Sequence, residues 1–558
     1  MTQSHLPGDP DPIRRRDFLL GIAATGLGAA GGRSVEKGAD PDPDVVDLET
    51  LRAASRLSGL AFTDEELKAA LDDLRREWPR WRTSAGLPNG VAPTLGRVDA
   101  HCAREPSSWK PSRELDDDIA DEEASGPLHY QPAYVLAHRI RKGEITSLAL
   151  TRHFLERMKR LDPKLLCVVT LLEERALAQA RAADADLAAG RVRSALHGVP
   201  WGVKDLFSVP GAPTTWGAAP FEHQVLDETA EVVARLDAAG CVLLAKLSTG
   251  ALAMGDRWFR GRTRNPWNLE QGSSGSSAGP ASATAAGLVG FAIGTETLGS
   301  IVSPCTRCGT TGLRPTFGRV SRAGAMALSW SMDKAGPIAR SIRDAELVLE
   351  IIAGADPKDV DTVARDFASE VAKPLAEIRV GRVDLGGRGR RDAEAYERVL
   401  KEIDALGFRT RPVTLPRPDR RMMAILDVEA AAAFDDITRD GRVRELTAQG
   451  PGSWPRIFRA ARFIPGVEYV QACRMRTALK ARMREAMAEI DVLVIPSYAQ
   501  GILLTTNLTG HPTAVMPRRA GAGRSISFVG RLWGERNVAR LAHAWQTSTS
   551  YHRAHPNL

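Results

Sequence analysis

Residues 272–300 place two clusters of Gly and Ser on either side of an apolar, Ala-rich stretch. The first cluster is Gly272-Ser273-Ser274-Gly275-Ser276-Ser277-Ala278-Gly279, and the second is Gly294-Thr295-Glu296-Thr297-Leu298-Gly299-Ser300. A flexible linker would be rich in Gly and Ser throughout. Here the middle, Ala281 to Ile293, predicts a buried helix and strand, so the clusters become tight turns at the ends of rigid elements. Such turns bring hydroxyls and backbone N–H groups close to a substrate.

Upstream, Lys204 closes the short apolar run Val199-Pro200-Trp201-Gly202-Val203, as the tip of a buried strand would. A desolvated lysine has a lowered pKa and favours the neutral amine. That form serves as a general base at neutral pH, whereas an exposed lysine does not.

These segments together resemble the amidase signature family. Its first serine turn falls on Gly275-Ser276-Ser277-Ala278-Gly279, its second on Gly294 to Ser300, and its closing Cys-Gly-x-x-Gly-Leu segment on Cys308 to Thr316. The family's lysine segment falls on Leu196 to Thr215. Gly272-Ser273-Ser274-Gly275 offers a rival register with three extra residues before Ser300. Counting forward from Asn265 and back from Ser300 selects Ser276, with Ser273 as the alternative.

The resemblance implies a Ser–Ser–Lys triad: Ser300 the nucleophile, Ser276 the bridge on a cis peptide, and Lys204 the base. It implies an acyl-enzyme intermediate and an oxyanion hole built from the backbone N–H groups of Thr297, Leu298, Gly299 and Ser300. Four positions depart from the family's usual pattern. Leu298 replaces a glycine, which requires either an ordinary φ at 298 or a different turn. Glu296 replaces an aspartate, and Pro280 stands where a serine is common. Val302 stands where many members carry an arginine that, in some of them, grips a carboxylate, which argues against a small acidic substrate.

Helical patterns alternate with apolar strands from Ala133 to Pro517, which predicts an α/β fold. In this family that is one large mixed β-sheet flanked by helices. Two helical patterns within 133–190 are expected to be separated at Asp162-Pro163-Lys164. Further helices are expected over Asp344–Ala355 and Asp392–Leu406, and strands over Glu377–Leu385, Phe408–Leu415 and Asp491–Pro496. Asn507 to Pro517 resembles a late core strand, and the amidase signature domain is assigned to 128–558.

The first 32 residues read differently. Arg14-Arg15-Arg16-Asp17-Phe18-Leu19-Leu20 precedes a Gly/Ala-rich run to Ala30, which resembles a bacterial twin-arginine export signal. The run is too short for a membrane span, which needs about 20 apolar residues. The expected location is the periplasm, with no stable membrane insertion after export. Residues 33–127 form an extension in which Thr63-Asp64-Glu65-Glu66 is a capping box opening a helix to about Trp78.

Composition sets the remaining boundaries. The chain has 558 residues, 43% of them hydrophobic, and a net charge of +7 spread along its length without an aromatic-studded basic face. That pattern argues for no nucleic-acid partner. Six cysteines are too few for a disulfide scaffold, and Cys305-Thr306-Arg307-Cys308 has no second pair or histidine partner to complete a zinc site. No cofactor and no metal are expected. The expected reaction is hydrolysis of a small-molecule amide, the alternatives being an esterase on the same site or a non-catalytic binding descendant of the fold. The sequence leaves a homodimer open.

Overall fold

The computed structural model describes residues 46–81, 87, 91–94, 125–365, 367, 370–386 and 390–558. The arginines of the export-signal reading, residues 14–16, lie outside these residues.

Among the described residues fifteen strands form, in chain order: β1 (Val168–Leu171), β2 (Pro200–Lys204), β3 (Val242–Leu247), β4 (Arg257–Trp258), β5 (Gly261–Arg262), β6 (Arg264–Asn265), β7 (Asn268–Gly272), β8 (Phe291–Glu296), β9 (Thr311–Arg314), β10 (Lys334–Ala339), β11 (Val380–Arg382), β12 (Arg411–Pro412), β13 (Val492–Pro496), β14 (Thr513–Pro517) and β15 (Ser525–Gly530). Eleven of them make one sheet in the order β1-β3-β2-β8-β10-β9-β14-β15-β13-β11-β12. The sheet is mixed: β2 runs parallel to both β3 and β8, while β10 is antiparallel to β8 and β9. Every residue of β2, β3, β10, β13, β14 and β15 is buried, so the polar residues they carry, such as Lys204, Lys246 and Lys334, are buried with the apolar ones.

Helices cover the sheet. Helix Ala278–Ala285 lies on β8, Ile342–Ile352 on β10, and Glu535–Thr549 on β15 and β14. The first of these is made of small residues for a reason. A Cβ on Gly279 would sit 2.4 Å from the Ser248 nitrogen, so only glycine lets this helix approach so closely. A second apolar cluster lies beside the sheet, built from helices Met423–Ala433, Trp454–Ala461 and Gly466–Ala486 together with Leu252, Met326 and Met332.

Several expected boundaries shift. Asp162-Pro163-Lys164 does not separate two helices but closes one, Ser147–Leu165. The Asp162 carboxylate there caps the chain onward, accepting the Cys167 and Val168 N–H groups at 2.7 and 2.9 Å. The strand expected over 408–415 shrinks to Arg411–Pro412 at the sheet edge, and that over 377–385 to Val380–Arg382.

The extension packs onto the second cluster. Thr63 and Glu66 form the reciprocal box, with the Thr63 N–H donating to Glu66 Oε2 at 2.9 Å and the Glu66 N–H to Thr63 Oγ1 at 3.3 Å. The helix runs Asp64–Trp81 and lies against Trp454–Ala461. Glu66 also accepts from Arg459 Nη2 at 2.6 Å and Arg444 Nε at 2.8 Å. Burial pushes its carboxyl up, but these partners and the Thr63 amide overcome it and hold the pKa at about 2. Further along, the carbonyls of Val91, Ala92 and Thr94 accept from Arg474, Thr477 and Arg476 of helix Gly466–Ala486.

Candidate active site

The parallel strands β2 and β8 end side by side, with Val203 opposite Ile293. Open α/β sheets place their sites beyond such carboxyl ends. Lys204 is the last residue of β2 and is fully buried. Its Nζ donates to Ser276 Oγ at 2.8 Å and to Thr295 Oγ1 at 2.7 Å. Burial lowers its pKa to about 7, against the opposing pull of the Asp333 and Glu296 charges.

The nearby Lys246 is a useful contrast. It forms a buried ion pair with Asp205 at 2.8 Å and donates to the Pro213 carbonyl at 2.7 Å. Lys246 is therefore engaged by a carboxylate and a carbonyl, while Lys204 faces hydroxyls.

Both serine turns converge on this lysine. The Gly275–Ser276 peptide is cis, and Ser276 is buried. Ser273, the alternative bridge, donates its hydroxyl to the Ser274 carbonyl at 2.9 Å. Ser277 stitches the turns together: its N–H donates to the Ser300 carbonyl at 3.1 Å, and its Oγ to the Thr295 carbonyl at 3.0 Å. Ser300, just beyond β8, retains 8% of its surface.

The turn from 297 to 300 takes its shape from Glu296. One carboxylate oxygen accepts the Ile301 and Val302 N–H groups at 2.8 and 2.9 Å. The other accepts from Arg314 Nη1 at 2.5 Å and Asn507 Nδ2 at 2.8 Å. Burial favours the neutral acid, but Arg314 and these donors prevail and hold the pKa at about 2. Among the described residues, no protein acceptor takes the N–H groups of Thr297, Leu298, Gly299 or Ser300. Leu298 has an ordinary φ, and the left-handed position falls instead on Gly299 at +88°. The leucine therefore fits without strain, and its side chain packs on the second apolar cluster. Val302 is buried in a small cluster with Ile301 and Cys305.

Two neighbours were not singled out from sequence. Thr295 is the second partner of Lys204. Asp333, beside the start of β10, accepts from Thr297 Oγ1 at 2.5 Å and from the Leu328 and Ser329 N–H groups at 2.8 and 2.9 Å. Burial pushes Asp333 up and Lys334 down, the latter to about 7. Nothing in the sequence pattern tied Asp333 to the turn before Ser300. Four non-glycine residues near the site, Trp216, Leu252, Ala253 and Ser274, adopt left-handed φ values of 52°, 49°, 62° and 60°. Such outliers cluster at functional sites.

Among the described residues, no group of three or more His, Cys, Asp and Glu is arranged to hold a metal. Cys305 and Cys308 are free and buried, and burial raises both thiols. No described helix is long and apolar enough to cross a membrane.

The family described as Amidase matches residues 149–516. A glutamyl-tRNA(Gln) amidotransferase subunit from Roseiflexus sp. (strain RS-1) is 34% identical over 468 residues, 75% of this chain and 96% of that protein. The native peptide amidase from Stenotrophomonas maltophilia superposes with a TM-score of 0.66 at 27% identity, over 76% of this chain and 98% of that one. A 6-aminohexanoate cyclic dimer hydrolase shares the fold, with a TM-score of 0.67 at 22% identity, over 77% of this chain and 99% of that one. With a family match across more than half of its length and a relative aligned from end to end, this chain belongs to the Amidase family.

Proposed function

We propose that the protein is an amide hydrolase working through Lys204, cis-Ser276 and Ser300. The observation that carries this reading is the buried 2.8 Å contact between Lys204 Nζ and Ser276 Oγ, made by a lysine poised near neutrality. The neutral amine takes the Ser276 proton, Ser276 takes the Ser300 proton, and Ser300 Oγ attacks the amide carbon. The N–H groups of Thr297, Leu298, Gly299 and Ser300 receive the oxyanion, each good donor being worth about 10²–10³ in rate. Ser276 returns the proton to the leaving nitrogen, the C–N bond breaks, and water releases the acid from the acyl-enzyme. An ester would be cleaved by the same steps.

The relationship to an amidotransferase component favours a second reading, release of ammonia from glutamine for a partner enzyme. Against it stands Val302, a buried apolar residue at a position where a cation would serve an acidic substrate. The export-signal pattern at residues 14–30 adds to this, and we place the mature protein in the periplasm on that pattern.

The test is Ser300→Ala. Wild type should be labelled covalently by a fluorophosphonate and should turn over amides in a substrate panel. The variant should do neither while keeping its circular dichroism spectrum. Turnover above a few per cent of wild type in the variant would remove Ser300 from the mechanism.

A further inference from the structure

A cavity of about 220 Å³ opens on the Lys204 side of the site. Its walls include Leu206, Phe207, Ala253, Met326 and Leu328, and it reaches Thr295, the second partner of the Lys204 amine. Five charged residues also line it: Lys334 donates to the Met332 carbonyl, Lys358 is exposed, and the other three have partners. Arg322 pairs with Asp359 at 2.7 Å and with Asp361 at 2.9 Å, and Asp333 is taken up by Thr297 and two backbone amides. An apolar cavity of about 150 Å³ is enough to hold benzene. This one has room for a ring or a short branched chain.

Which half of an amide enters it follows from the proton path. Ser276 delivers its proton to the leaving nitrogen, so that nitrogen must lie on the side of Ser276 and Lys204. The acyl half, bonded to Ser300 Oγ, points away from that side. The cavity is lined by Thr295, which touches Lys204 directly, and by Thr297 of the turn before Ser300. An amide that releases ammonia has nothing to place there.

We propose that this cavity is a leaving-group pocket and that the substrate is an N-substituted amide with an apolar amine of about the size of aniline. The proposal rests on the amide-hydrolase reading and goes beyond it by naming the departing amine. In the reaction Ser300 Oγ bonds to the carbonyl carbon and the C–N bond breaks. The proton that left Ser300 arrives on the nitrogen, and a neutral amine departs from the cavity. Water then enters and releases the carboxylic acid.

The experiment compares butyranilide with butyramide, which share an acyl group, by kcat/KM. Wild type should favour the anilide at least tenfold. Ala327, half-buried in the lining, is the site to fill. Ala327→Phe should lower the anilide-to-amide ratio at least tenfold. Met326→Ala should raise the ratio of the 1-naphthylamide to the anilide. Circular dichroism and fluorophosphonate labelling of Ser300 report whether each variant is folded and armed. A wild type that favours butyramide, or ratios unmoved in both armed variants, would overturn the pocket while leaving the hydrolase in place. A wild type inert on both amides and unlabelled at Ser300 would overturn the hydrolase reading, and the pocket with it.

Discussion

The Thr297 hydroxyl donates to Asp333 Oδ1 at 2.5 Å and so ties the turn before Ser300 to the start of β10. The tie continues outward. Ser329, whose N–H also binds Asp333, donates its Oγ to Glu429 at 2.6 Å, and Ser331 Oγ does the same. Buried Arg476 then joins Ser331 Oγ at 2.8 Å to the Thr94 carbonyl of the extension at 2.5 Å. A polar chain therefore runs from the extension to the turn that precedes the nucleophile.

Glu429→Gln removes the charge that anchors this chain while nearly keeping the volume. The 328–333 loop should loosen and kcat should fall by about 10–100-fold, the cost of a small misplacement, with KM little changed. Asp333 is foremost among the charges that raise the Lys204 pKa, so its displacement should also move the acid limb of the rate profile to lower pH. Steady-state kinetics between pH 5 and 9 on folded variant read both effects. A wild-type profile would mean that the loop is held without Glu429.

Lys204 makes its own prediction. The neutral amine is the active form, so the rate should rise with pH through about 7 and level off above it. Lys204→Met should lose about 10³-fold or more and show no such rise. Its stability should move the other way. In wild type the fold pays to bury a protonated amine below pH 7, and that penalty shrinks between about 7 and the ordinary lysine value of 10.5. The thermal-melt advantage of Lys204→Met should thus be largest in acid and narrow as pH rises. A gap that widens with pH would contradict a depressed lysine.

Arg314 and Glu296 are both fully buried and pair at 2.5 Å. Arg314→Met leaves an uncompensated carboxylate under the catalytic turn, which should cost about 3–5 kcal/mol in urea unfolding. Adding Glu296→Gln should recover part of the loss, because it removes the stranded charge. The carboxyl sits at about 2, below its ordinary 4.5, so its contribution is complete above pH 4.5 and is lost as pH falls through about 2. A single variant as stable as wild type would show that the pair is replaceable by packing.

Export is tested at the other end of the chain. Arg15→Lys with Arg16→Lys keeps the charge but removes the guanidinium forks that a receptor reads. In a bacterial host the double variant should stay in the cytoplasm, folded and active in lysate. Fractionation that finds it in the periplasm at the wild-type level would reduce residues 14–32 to a basic tail.

How far the sequence could be read depended on the range of each interaction. Lys204, Ser276 and Ser300 carry their signal in short segments, and β2, β8 and helix Ala278–Ala285 form where the apolar pattern between them required. The capping box at Thr63 likewise marked its helix, although the helix continues three residues past Trp78. The concern over Leu298 dissolved because the left-handed φ moved one residue on, to Gly299, a shift invisible in composition. Thr295, Asp333, Glu429 and Arg476 were not legible as site residues. Their partners lie 91, 36, 100 and 145 positions away in the chain, and only the folded sheet brings them together.

Glu66 performs two tasks with one side chain: Oε2 caps the first turn of its own helix, and Oε1 takes the guanidinium of Arg459. The carboxylate reaches the arginine from the position that the finished turn gives it. Starting the helix and seating it are therefore one cooperative event. Residues 64–81 should exchange their amide hydrogens as a block, with a single opening free energy, rather than fray from Asp64 inward.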